Sequence, residues 1–112
     1  MNPAELAELE VLCFPETGFV VGQIAADQAE IITLGVLPDF RNKGHGTELL
    51  TSFEKTARLR GATEIFLEVS AENKPAIGLY RTNKFEPVGR RRKYYKDAQG
   101  MAIDAFILKK VF

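Results

Sequence analysis

Apolar positions along this chain change their period several times, and each change marks a predicted element. Leu6, Leu9, Leu12 and Cys13 recur at helical spacing while Glu5, Glu8 and Glu10 point elsewhere, which predicts a helix over residues 3–14 that Pro15 ends. Gly18 to Ala25 reads as a strand, Ala26-Asp27-Gln28 as a turn, and Glu30 to Val36 as a second strand antiparallel to the first. From Gly46 to Arg60 the period returns to that of a helix. Leu49, Leu50, Phe53, Ala57 and Leu59 fall mostly on one side, and Glu54, Lys55, Arg58 and Arg60 face water. Gly61 is a stop signal.

Glu64 to Ser70 is nearly continuous in apolar character, as a buried parallel strand should be. Asn73 then caps a short helix, with Pro75 in its first turn, that runs to about Thr82. Phe85 to Tyr95 is a long strand, Lys96 to Gly100 a hairpin loop, and Met101 to Lys109 the return strand. Strand, helix, strand around the central segment implies a right-handed crossover between parallel neighbours. The expected fold is a mixed α/β sheet in a single domain spanning 1–112.

Composition narrows the function without naming it. Lys+Arg and Asp+Glu both number 15, so the formal net charge is zero. That balance argues against a dedicated nucleic-acid binder, which depends on excess positive charge. The single Cys13 has no partner for an internal disulfide, which fits a reducing compartment. No apolar run is long enough to span a membrane, and the acidic N-terminal stretch is unlike a signal peptide, so the cytoplasm is expected.

The most informative chemistry lies in Arg41-Asn42-Lys43-Gly44-His45-Gly46-Thr47, between a strand and a helix. Glycines there let an anion approach the backbone closely. The helix start supplies unpaired N–H donors and a positive dipole end, which together make a phosphate-binding turn. A Walker turn is absent. A dinucleotide turn would need a small residue where Leu49 stands, although Glu64 and Glu68 lie at the distance where its ribose-binding acid is expected. A plain strand-to-helix turn remains the alternative.

Four strings carry a family resemblance. They are Thr33-Leu34-Gly35-Val36-Leu37-Pro38, Arg41-x-x-Gly44-x-Gly46, Leu67-Glu68-Val69-x-x-x-Asn73-x-x-Ala76-x-x-Leu79-Tyr80, and Lys84-Phe85-Glu86-Pro87-Val88-Gly89-Arg90-Arg91-x-x-Tyr94-Tyr95. With these the span Thr33 to Lys109 resembles the GNAT N-acetyltransferase superfamily, in its ribosomal-protein-alanine (RimI-type) branch. The resemblance implies a GNAT acyl-CoA N-acyltransferase fold lacking part of the N-terminal helical region, since members of the branch have a longer stretch before the strand at Gly18. Such a gap would weaken acceptor recognition and leave apolar surface uncovered, so a monomer or weak homo-oligomer is expected.

The resemblance also implies acetyl-CoA as co-substrate, no metal, and a protein N-terminus, that of a small-subunit ribosomal protein, as acceptor. Neither nucleic acid nor membrane is an expected partner. Backbone groups of Leu34, Gly35 and Val36 would pair with the pantetheine arm where two parallel strands splay. Arg41, Asn42, Lys43, Gly44, His45, Gly46 and Thr47 would hold the diphosphate, and Asn73 would contact the cofactor. Val36 is the candidate N–H for polarising the thioester carbonyl.

Acetyl transfer to an amine moves two protons. Glu68, near the carboxyl end of its strand, matches the family's general base, and Tyr80, two helical turns beyond Asn73, its general acid. A solvent-facing glutamate and a core tyrosine are the plainer alternatives. His45 reads as a loop residue with an optional phosphate contact, and Cys13 as a packing residue. Arg90-Arg91-Arg92-Lys93 reads as a solvated strand face rather than an RNA site, and Tyr94 and Tyr95 are expected to border the acceptor groove.

Overall fold

The computed structural model describes the backbone of residues 8–14, together with residues 17–41 and 43–112. Their contacts group into two compact units, one running to Ile65 and including Val111–Phe112, the other Phe66–Lys110.

In the first unit three strands form an antiparallel meander: β1 (Glu8–Phe14), β2 (Gly18–Ala25) and β3 (Gln28–Val36). The expected helix over 3–14 is therefore corrected to a strand where it is described, and its first part, 3–7, and the Pro15 stop lie outside the described residues. Leu9, Val11 and Cys13 also alternate with period two, so the same letters fit a strand. The seven-residue pairing with β2, from Glu8 opposite Ile24 to Phe14 opposite Gly18, decides between the two periods. The β2–β3 turn is tight enough to put Ala26 at φ 54°, a left-handed backbone that alanine adopts only at a cost.

The chain then makes one 3-10 turn (Pro38–Phe40) and enters α1 (His45–Leu59). Leu49, Leu50, Phe53 and Ala57 are buried on α1, against a sheet whose Val20, Ile24, Ala29 and Ile31 are also buried. Gly22 is the recess for Phe53. A Cβ on Gly22 would lie 2.4 Å from the phenyl ring and 2.5 Å from the Glu30 carbonyl oxygen. Leu59, expected on the core side, is 81% exposed instead, because at roughly 100° per residue it falls on the side of Ser52 and Lys55, away from the stripe of Leu49, Leu50, Phe53 and Ala57. Gly61 at φ 91° turns the chain away, as the sequence predicts.

β4 (Glu64–Ser70) begins in the first unit and continues in the second. It is not buried on both faces. Ile65, Leu67 and Val69 are buried, while Glu64, Phe66, Glu68 and Ser70 alternate with them and are half-buried. The second unit adds α2 (Lys74–Thr82) and the hairpin of β5 (Glu86–Lys96) and β6 (Ala102–Val111), with strand order β4-β6-β5. Lys84 closes α2 at φ 75°. Asp97 organises the hairpin loop by accepting from the backbone N–H groups of Gln99 (2.9 Å) and Met101 (2.8 Å). β5 carries two irregularities. Arg91 sits opposite Ala105 and Tyr95 opposite Ile103, so residues 92–94 face the single residue 104.

Candidate active site

The turn from β3 leads straight into the N-terminus of α1. Gly44 occupies the N-cap position at φ 85°, and no side chain caps the helix. Its carbonyl accepts the Glu48 N–H at 3.1 Å, the first turn of a 15-residue helix. A Cβ on Gly44 would meet nothing within 4 Å, so the backbone is open to a ligand on that side. Arg41 and Lys43 flank the turn, both exposed. Arg41 donates from Nε to the Val36 carbonyl at 3.1 Å, tying the loop to the end of β3.

Phe40 underlies the loop. The His45 ring meets it edge-on at 5.4 Å, and Lys43 Nζ lies 5.9 Å from its centroid. His45 Nδ1 is 3.3 Å from Glu48 Oε2. Gly46 and Thr47 are half-buried in the first turn, and Asn42 lies outside the described residues. Leu34, Gly35 and Val36, all half-buried, finish β3 opposite Val20, Phe19 and Gly18. A Cβ on Gly35 would come within 2.8 Å of the exposed Phe19 ring, which would have to move aside. An uncapped helix start, a glycine with free space and two flanking cations fit a diphosphate.

In the second unit Glu68 stands on β4 with its side chain 25% exposed, and its Oε1 forms an ion pair with Arg91, whose Nε lies 3.0 Å away. Arg91 also lies over the Tyr94 ring at 5.2 Å, and the Tyr94 and Tyr95 rings meet edge-to-face at 5.0 Å. Tyr94 is 51% exposed. Burial, then the Glu68 charge, then Tyr94 push the Tyr95 phenol above its usual value. The structure thus gathers Glu68, Tyr94 and Tyr95 around Arg91. In the sequence that arginine stands in a basic run and in the Arg90-Arg91-x-x-Tyr94-Tyr95 string, with no sign of its contact with Glu68. Its neighbour Arg90 turns to the other face, where it pairs with Asp104 and lies over Phe106.

Tyr80 is the buried residue of α2, 7% exposed, with its ring edge-on to Phe85 at 5.6 Å. Burial pushes its phenol above the usual tyrosine value. No described residue bonds its hydroxyl. Asn73 is the N-cap of α2, its Oδ1 accepting from the Ala76 N–H at 3.3 Å. The cap occupies the oxygen and leaves the amide N–H groups to donate elsewhere. No group of three or more His, Cys, Asp or Glu suited to a metal occurs among the described residues. None of their helices is long and apolar enough to cross a membrane.

A mixed α/β fold with a glycine turn ahead of α1 is the pattern of the acetyltransferase (GNAT) family, whose model matches residues 11–85; the chain belongs to that family. Among its relatives, the ribosomal protein bS18-alanine N-acetyltransferase of Salmonella typhimurium is 38% identical over 90 residues, which cover 80% of this chain and 60% of the relative. The crystal structure of the ribosomal-protein-S18-alanine N-acetyltransferase from Escherichia coli superposes with a TM-score of 0.82 at 30% identity, over 96% of this chain and 70% of that one. Arabidopsis thaliana NAA60, in complex with a bisubstrate analogue, gives a TM-score of 0.74 at 26% identity, over 85% and 64%. The chain spans about 60% of the length of the curated relatives it matches first.

Proposed function

We propose that this chain is an N-acetyltransferase that moves acetyl from acetyl-CoA to the α-amine of a protein N-terminus, the N-terminal alanine of a small-subunit ribosomal protein being the first candidate. The observation that carries the reading is Glu68: a half-buried carboxylate held by Arg91 beside two tyrosines, on a strand whose neighbouring residues match the family motif. The S18-alanine specificity of the Salmonella and Escherichia relatives supports the choice of acceptor.

Acetyl-CoA supplies an activated thioester. The N–H groups at the start of α1, with Arg41 and Lys43, hold its diphosphate, and the end of β3 at Leu34, Gly35 and Val36 pairs with its arm. Asn73 donates from its free amide. Glu68 accepts a proton from the incoming ammonium, directly or through water. The freed amine then bonds to the acyl carbon as the carbon–sulfur bond breaks, Tyr80 donates its phenolic proton to the departing thiolate, and the second proton shed by the acylated nitrogen passes through water to restore the phenol. Tyr80 carries its proton for that task, and no described residue bonds its hydroxyl. Tyr94 and Tyr95 line the approach of the peptide.

Incubation with acetyl-CoA and a mixture of peptides of varied N-termini, followed by mass spectrometry, tests the reading. Acetyl on α-amines, with alanine preferred, supports it. Acetyl on lysine side chains or small amines moves the assignment to another acceptor class. Acetyl-CoA binding without any turnover refutes it in favour of an acyl-CoA-binding module.

A further inference from the structure

Arg91 stands on β5 and Glu68 on β4, with β6 between them in the sheet. Two strand spacings amount to roughly 10 Å, a gap that only a long side chain closes. The residue on β6 directly opposite Arg91 is Ala105, which has nothing beyond Cβ to obstruct the reach. The guanidinium therefore crosses β6 and forms an ion pair with one oxygen of Glu68, Nε lying 3.0 Å from Oε1. The other oxygen, Oε2, has no partner among the described residues. The face of the same guanidinium lies on the Tyr94 ring at 5.2 Å, where the two surplus residues of β5 displace the strand.

An ion pair with its arginine 53% exposed contributes little to folding stability. The pair nevertheless fixes a carboxylate in one orientation and joins it to the most exposed aromatic of the site. We propose that Arg91 is a positioning residue for acetyl transfer. It clamps Oε1 of Glu68 so that Oε2 points to the acceptor amine, and through Tyr94 it links acceptor-peptide docking to the orientation of the base. The inference rests on the proposed role of Glu68 as base.

The test is a double-mutant cycle on peptide acetylation with Glu68→Gln, Arg91→Met and the combined variant, plus Arg91→Lys. With a misplaced base, Arg91→Met lowers kcat by roughly one to two orders of magnitude while the acetyl-CoA KM changes less than about twofold. In the Glu68→Gln background the same substitution has no further effect on kcat, because Arg91 acts through the carboxylate. Arg91→Lys restores part of the lost kcat, since a lysine keeps one donor and loses the planar stack on Tyr94. Independent, multiplying losses would overturn the inference. So would an Arg91→Met enzyme with unchanged kcat, or one whose loss is matched by a fall in melting temperature and cofactor affinity. If Glu68→Gln itself leaves kcat unaltered, the base assignment fails, and that result is read from the single variant alone.

Discussion

Replacing Tyr80 by Phe removes one oxygen from the site and almost nothing from the fold. The ring stays buried and keeps its edge-on contact with Phe85 at 5.6 Å. The hydroxyl has no partner to lose among the described residues, so stability should change by less than about 1 kcal/mol. Catalysis should respond very differently. A positioned general acid contributes roughly 10²–10⁴-fold, which corresponds to about 2.7–5.4 kcal/mol of transition-state stabilisation. The assay is thiol release from acetyl-CoA at saturating peptide, paired with calorimetric titration of acetyl-CoA and a thermal melt. The expected outcome is a kcat reduced at least a hundredfold, with the cofactor Kd and the melting temperature nearly as in the parent. A kcat within about threefold of the parent would refute the role, and so would a loss that merely tracks weaker cofactor binding.

Three further outcomes are expected. Gly44→Ala places a side chain on a backbone at φ 85°, costs about 1–2 kcal/mol of stability, and crowds the open side of the loop; losing one phosphate hydrogen bond worth about 1.5 kcal/mol raises the acetyl-CoA Kd roughly tenfold, as titration calorimetry would record. Gly22→Ala collides with Phe53 and with the Glu30 carbonyl, so urea unfolding should show a loss of about 1–3 kcal/mol or more. The Tyr80 and Tyr95 phenols both lie above their usual value, by burial first and, for Tyr95, also by Glu68 and Tyr94. Their stabilisation is complete below about pH 10 and is lost as pH rises through the raised values. Urea midpoints should therefore fall at strongly alkaline pH, and fall less in Tyr95→Phe; an equal fall would show that Tyr95 contributes nothing.

Much of the molecule could be read from local signals. Gly44 at the start of α1, Gly61 after its end, the Asn73 cap and the hairpin at Asp97 each follow from a residue type that one backbone geometry demands. The features that escaped depend on partners far away in the chain. Residues 8–14 satisfy two periods, and only β2 selects the strand. Leu59 is a different case, apolar by type but set by its own helical spacing beside Ser52 and Lys55 on the outward side. Distant partners decide again at the site. Glu68, Tyr94 and Tyr95 stand out as types in a motif, whereas the grip of Arg91 on Glu68 requires knowing that β6, with Ala105, lies between their strands.

The seat of Phe53 over Gly22 has a further consequence. It lies two turns along α1 from the glycine loop and fixes how the helix is rolled on its sheet. Ligand capture at one end of the rod and close packing at its middle are therefore a single thermodynamic system, and the linkage runs both ways. Acetyl-CoA at a hundred times its Kd should raise global stability by about 2.7 kcal/mol, slowing amide exchange along the whole helix rather than at the loop alone. Conversely, core variants that loosen the phenyl ring should appear, in a binding experiment, as defects in coenzyme affinity although no atom of theirs touches it.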